Sequence, residues 1–158
     1  MNRSPQHQSV VDQLVKRGGI DTGVNKDMDV VDEDHPLTEI KFVDLLVFVG
    51  PPSMGFGDLD DEIEVAVLIE HDIYVDDDQK DYIYAFNEIL PEGLILEEQP
   101  YERSAIWLWV SVLADKCDSP ATSTALDELL VYANAAYAKF GTFPNAPQIP
   151  RLLPEKLH

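Results

Sequence analysis

Basic side chains are scarce in the middle of this chain. Between Asp21 and Glu102 the only cations are Lys26, Lys41 and Lys80. A protein that grips nucleic acid neutralises phosphates with Lys and Arg. Direct nucleic-acid binding is therefore disfavoured, and so is docking on anionic membrane surfaces. Cysteine is nearly absent: Cys117 stands alone. That excludes an intramolecular disulfide and a thiolate-built zinc site, and it fits a reducing compartment. Only Lys116 lies close enough in sequence to activate the thiol, so it reads as structural.

Long apolar runs are missing too. None approaches the roughly 20 residues of a membrane-spanning helix, and MNRSPQHQSVVDQLVKRGG has no continuous apolar core of a secretory signal. The expectation is a soluble, cytoplasmic protein. Phosphate-binding motifs are absent as well. GPPSMGFGD is rich in glycine but matches neither G-x-x-x-x-G-K-[ST] nor G-x-G-x-x-G before a helix. No cofactor is expected.

What the chain does carry is negative charge. Of its 30 acidic residues, 24 fall between Asp21 and Glu102, giving that segment a formal charge of −21. Residues 1–20 carry +2 and residues 103–158 carry none, for a total of −19. The composition is 45% hydrophobic, enough for one domain of 158 residues with a real core.

The pattern predicts an α+β single domain in the order α-β-β-α-β-β-α. Its sheet is mixed or antiparallel, with the helices packed on one face. Residues 1–19 read as an N-terminal helix stopped by Gly18 and Gly19, and 20–38 as an acidic loop or arm. Residues 39–141 form the core domain. IKFVDLLVFV (40–49) reads as one strand, and 62–75 as a second with Ile63, Val65, Val67 and Ile69 on one face. Asp76-Asp77-Asp78 is a helix start, with Tyr82, Ile83, Phe86, Ile89 and Leu90 at helical spacing. Residues 94–98 and 105–114 are strands. Asp118-Ser119-Pro120 opens a helix that Gly141 stops. A ferredoxin-like arrangement spans 62–153 if 148–153 add a last strand. Residues 142–158, with Pro144, Pro147, Pro150 and Pro154, form an extended tail.

Candidate chemistry is thin. Asp77, Gln79, Asp81 and Glu88 sit at EF-hand spacing, but Tyr82 stands where the loop needs glycine, so the window reads as helix and no metal site is assigned. His7 and His158 lie near the termini, and His35 precedes a proline in an acidic stretch. His71 lies between Glu70 and Asp72 with no nucleophile motif near it. Trp107 and Trp109 share one face of their strand; that face reads as core beneath a helix, with an apolar interface as the alternative.

The asymmetry of charge marks an interaction face. The expected partner-binding residues are Asp58, Asp60, Asp61, Glu62, Glu64, Glu70, Asp72, Asp76, Asp77, Asp78 and Asp81. They form a ridge if the strand over 62–72 is an edge. The expected activity is non-enzymatic: an acidic protein that blocks a basic partner, such as a nuclease or other nucleic-acid-binding protein. Inhibitors, immunity proteins and anti-defence proteins share this composition. The alternative is a small, acidic, secretion-chaperone-like or assembly protein that dimerises through apolar surfaces.

Overall fold

The first helix, α1 (Pro5–Lys16), begins where Ser4 Oγ accepts the His7 backbone N–H at 3.0 Å and Pro5 occupies the first turn. Its buried side chains include Val10, Val11 and Leu14. The helix ends in a Schellman turn, with Gly18 N–H donating to Val15 O and Gly19 N–H to Leu14 O. Gly18 takes φ +102°, which a side chain resists. A Cβ on Gly19 would stand 2.5 Å from Ile40 Cγ2 and 2.9 Å from Phe42 Cζ. The chain thus passes from helix into sheet against a wall of side chains.

The computed structural model describes residues 3–24, 37–50, 61–99 and 104–140. After α1 come β1 (Ile20–Val24), β2 (Thr38–Lys41), β3 (Leu46–Gly50), β4 (Glu62–Ile73) and α2 (Asp77–Ile89). The rest are β5 (Leu94–Gln99), β6 (Ser104–Leu113), a 3-10 turn over Ala114–Lys116, and α3 (Pro120–Phe140). Among the described residues these make an α+β fold of three helices and a six-stranded antiparallel sheet, in the order β1-β2-β3-β4-β6-β5.

Two expectations need correction. Ile20–Val24 is a strand, not the start of a loop. IDTGV has no alternation to announce it, and a bulge between Asp21 and Gly23 interrupts its pairing with β2. The single strand expected over 40–49 is a hairpin, in which Phe42 N–H donates to Leu45 O at 2.9 Å. Val43, at its tip, is 99% exposed. The turn contains neither glycine nor proline, and Asp44 is its only turn-forming residue, a weak mark inside an apolar run.

β4, α2 and β5 form a split βαβ unit, because β6 lies between the two parallel strands and pairs with both. The position that a ferredoxin-like fold gives its last strand, beside β4, is taken by β3. The strand expected at 148–153 lies outside the described residues, as do the loop at 53–60 and the tail.

One side of the sheet holds the core. Val47 and Val49 (β3), Ile63, Val65, Val67 and Ile69 (β4), Leu94 and Leu96 (β5), and Ile106, Leu108, Val110 and Val112 (β6) are all buried. They join one apolar cluster with Val10, Val11 and Leu14 of α1, Phe86 of α2, and Leu126, Leu129, Ala133, Ala136 and Phe140 of α3. All three helices therefore cover the same face. Alternation sends Leu46, Phe48, Ala66, Leu68, Trp107 and Trp109 to the other face, outside that cluster.

Among the described residues β5 is an edge strand, and the fold closes it with a side chain. Asn87 Nδ2 donates to Leu96 O and Leu96 N–H donates to Asn87 Oδ1, each at 2.8 Å. Leu94 N–H donates to Pro91 O. The helix thereby supplies the hydrogen bonds that a neighbouring strand would otherwise seek.

Two substitutions test these contacts. Gly19→Ala is expected to destabilise by about 2–3 kcal/mol through overpacking, read as a lower urea midpoint with unchanged slope. Asn87→Ala should lose about 1 kcal/mol and promote concentration-dependent association through the opened edge, visible by light scattering.

Candidate functional site

The acidic residues divide into three groups. Asp58 and Asp60 lie outside the described residues, and the side chain of Asp72 is likewise not described. Glu64 and Glu70 are buried, 9% and 5% exposed. β4 is central, between β3 and β6, so these two carboxylates do not line a sheet edge. A register shift between Leu68 and Glu70 also breaks the alternation that would have placed Glu70 in line with Glu62 and Glu64. The expected continuous ridge is interrupted.

Asp61 and Glu62 remain at one end of β4, exposed and half-buried, and Asp76, Asp77, Asp78 and Asp81 follow the other end, all exposed. Glu62 pairs with Leu113 and Ile73 with Ser104, so the two ends of β4 lie about 30 Å apart at ~3.3 Å per residue. The two clusters are separate surfaces.

The cluster at the start of α2 is built by capping. Asp76 Oδ1 accepts the Gln79 backbone N–H at 2.8 Å, and Gln79 Oε1 accepts the Asp76 N–H at 2.7 Å. This capping box holds Asp77 and Asp78 in the first turn, where carboxylates oppose the positive end of the helix. The EF-hand-length window is therefore helix, as its pattern predicted. None of Asp76, Asp77, Asp78 or Asp81 forms an ion pair among the described residues; the ion pairs there are Arg3–Asp21 and Arg17–Asp127, each 2.6 Å.

The helix-free face of the sheet carries the aromatic candidates. Trp107 packs edge-on against Phe48, their ring centroids 5.6 Å apart. Trp109 Nε1 donates to Glu97 Oε2 at 3.1 Å. Phe48 is buried, while both tryptophans are half-buried. Trp107 Nε1 and Ser111 Oγ are buried without a hydrogen-bond partner among the described residues.

No three His, Cys, Asp or Glu side chains among the described residues converge as metal ligands. The side chain of His71 is not described. Cys117 is buried beyond the 3-10 turn, and its carbonyl accepts from Gln13 Nε2 at 2.8 Å.

His7 was not legible as a structural residue. It is buried, with Nε2 2.9 Å from Thr38 Oγ1, and it ties α1 to β2. The only hint was its position one turn ahead of Val10 and Val11. Beside it, Arg3 donates to both oxygens of Asp21, at 2.6 and 2.8 Å, and Asp21 Oδ1 also accepts Gly23 N–H. The Arg3 hydrogen bonds hold the Asp21 carboxyl below its usual range. Burial lowers the His7 pKa from 6.5 to about 4; Arg3 adds to the shift and Asp21 opposes it.

Searches of models of known protein families, of curated proteins and of solved structures give no match to this chain. The geometry alone carries the functional argument.

The histidine gives a pH dependence with a definite sign. The unfolded chain protonates His7 near pH 6.5, but the folded chain resists until about pH 4. Its contribution is complete above pH 6.5 and fades as pH falls towards 4. Between pH 7 and 5 the loss should reach about 2 kcal/mol. Urea titrations of wild type and His7→Gln at both pH values should differ by that amount in pH sensitivity.

Proposed function

We propose that this chain is a non-enzymatic acidic binding protein that docks on and blocks a basic partner protein, in the manner of an inhibitor, immunity or anti-defence protein. The observation that supports it is the exposed cluster Asp76, Asp77, Asp78 and Asp81, which has no ion pair among the described residues. Unneutralised carboxylates on a rigid helix end attract cations from a distance and select for a complementary basic partner. Asp61 and Glu62 are candidates for a second contact. Glu64 and Glu70 are too buried to meet a partner and leave the contact set.

A second reading has its own support. The helix-free face around Phe48, Trp107 and Trp109 lies outside the main apolar cluster. In that reading the protein is an assembly factor that dimerises through this face. Size in solution separates the two, since only the second requires an obligate dimer.

Docking through charge is expected to weaken steeply between low and moderate salt. Asp77→Asn, Asp78→Asn and Asp81→Asn together should cost about 0.5–3 kcal/mol of binding, from up to ~1 kcal/mol per exposed pair. Asp76 is left intact in this variant because it caps the helix. Pull-down of partners from a cell lysate at two salt concentrations, with wild type and the triple variant, reads both effects. Retention indifferent to salt and to the three substitutions sinks the proposal.

A further inference from the structure

The outward face of α2 carries more than charge. Asp77, Asp81, Tyr84 and Glu88 recur at the i, i+4, i+7, i+11 spacing of one helical stripe, and all four are exposed. Tyr84 is 74% exposed, and Tyr74, just before the cap, is 88% exposed. Neighbours three and four apart on a helix lie about 5–6 Å from one another. Tyr84 therefore has Lys80 and Asp81 one turn before it and Glu88 one turn after it, so two carboxylates and one ammonium neighbour the ring. Lys80 is the one cation on this helix, so the face keeps a net negative charge.

Neither tyrosine is in the apolar core or packed against it, whereas Tyr82, on the inner side of the same helix, meets Phe86 and Phe140 at centroid distances of 5.9 and 5.5 Å. The two tyrosines thus add nothing to the core that would explain large rings at these positions. Exposed rings, one on the helix and one just before its cap, that meet no core residue among the described residues suit a contact surface, and tyrosine is a frequent anchor of such contacts.

We infer that this face of α2 docks an arginine-bearing segment of the basic partner, with Tyr84 and Tyr74 stacking on guanidinium groups that Asp77, Asp81 and Glu88 pair with. The inference rests on the acidic-docking reading and adds to it the chemistry of the cation. Charge complementarity calls for a cation, and the interleaved rings select which one. A guanidinium is planar and weakly hydrated, stacks on an aromatic face, and offers a fork that fits a carboxylate. An ammonium is a strongly hydrated point charge that gains less from a ring. A surface of carboxylates alone would not discriminate between them.

The test uses the full chain with oligo-arginine and oligo-lysine peptides of equal length, titrated by calorimetry at low salt. Wild type should bind the arginine peptide about two- to fivefold more tightly, the ratio a cation–π contact gives at an exposed site. Tyr84→Ala should lower that ratio and Tyr84→Ala with Tyr74→Ala should abolish it, both retaining lysine-peptide affinity, and Tyr84→Phe should preserve it. Both residues are exposed, so none of these changes threatens folding. Equal affinity for the two peptides, or a ratio that survives Tyr84→Ala with Tyr74→Ala, overturns the arginine inference and leaves acidic docking standing. Failure of wild type to bind either peptide overturns acidic docking, and this inference with it.

Discussion

Everything described depends on burying one face of one sheet. β4 and β6 pair along nearly their whole lengths and place eight branched or aliphatic side chains on the same side, from Ile63 to Ile69 and from Ile106 to Val112. Water is removed from that stripe only because α1, α2 and α3 lie across it and contribute their own apolar rows. The choice of face then decides which residues reach the surface. Once the helices occupy one side, Trp107, Trp109 and Phe48 must stand on the other, and Glu64 goes with them.

The same constraint sorts the carboxylates. A chain this acidic pushes its charges apart, and folding succeeds by giving many of them a local task or an open position. Asp76 caps α2, Asp21 receives Arg3 and Gly23, and Asp127 receives Arg17. The cluster at 76–81 is different because the capping box fixes its place while leaving most of its oxygens in water. Rigidity and lack of neutralisation together make it the best docking candidate, since little ordering is needed when a partner arrives.

Much of the fold was legible in sequence because its signals are local. Alternation in 62–69 and 106–112, the Asp76 and Ser119 starts, and the apolar rows of α2 and α3 are read residue by residue. β1 and the hairpin at Phe42–Leu45 were not, since each is stabilised by pairing with a distant or weakly punctuated segment. The ridge drawn along 62–81 failed for a related reason. A sequence shows that Glu62, Glu64 and Glu70 recur, but not that β4 is central or that a bulge follows Leu68.

By itself the sequence determined the class of fold, the sign and location of the charge, and the helical nature of the 77–88 window. These follow from short-range chemistry: side-chain periodicity, capping and composition. Only the tertiary structure decided which charges are surface and which are buried, that the two acidic clusters sit far apart, and that His7 is a core residue. It alone also showed that Tyr74 and Tyr84 face outward beside the carboxylates. Those properties depend on strand order and on which face the helices cover, and both are set by contacts between residues far apart in the chain.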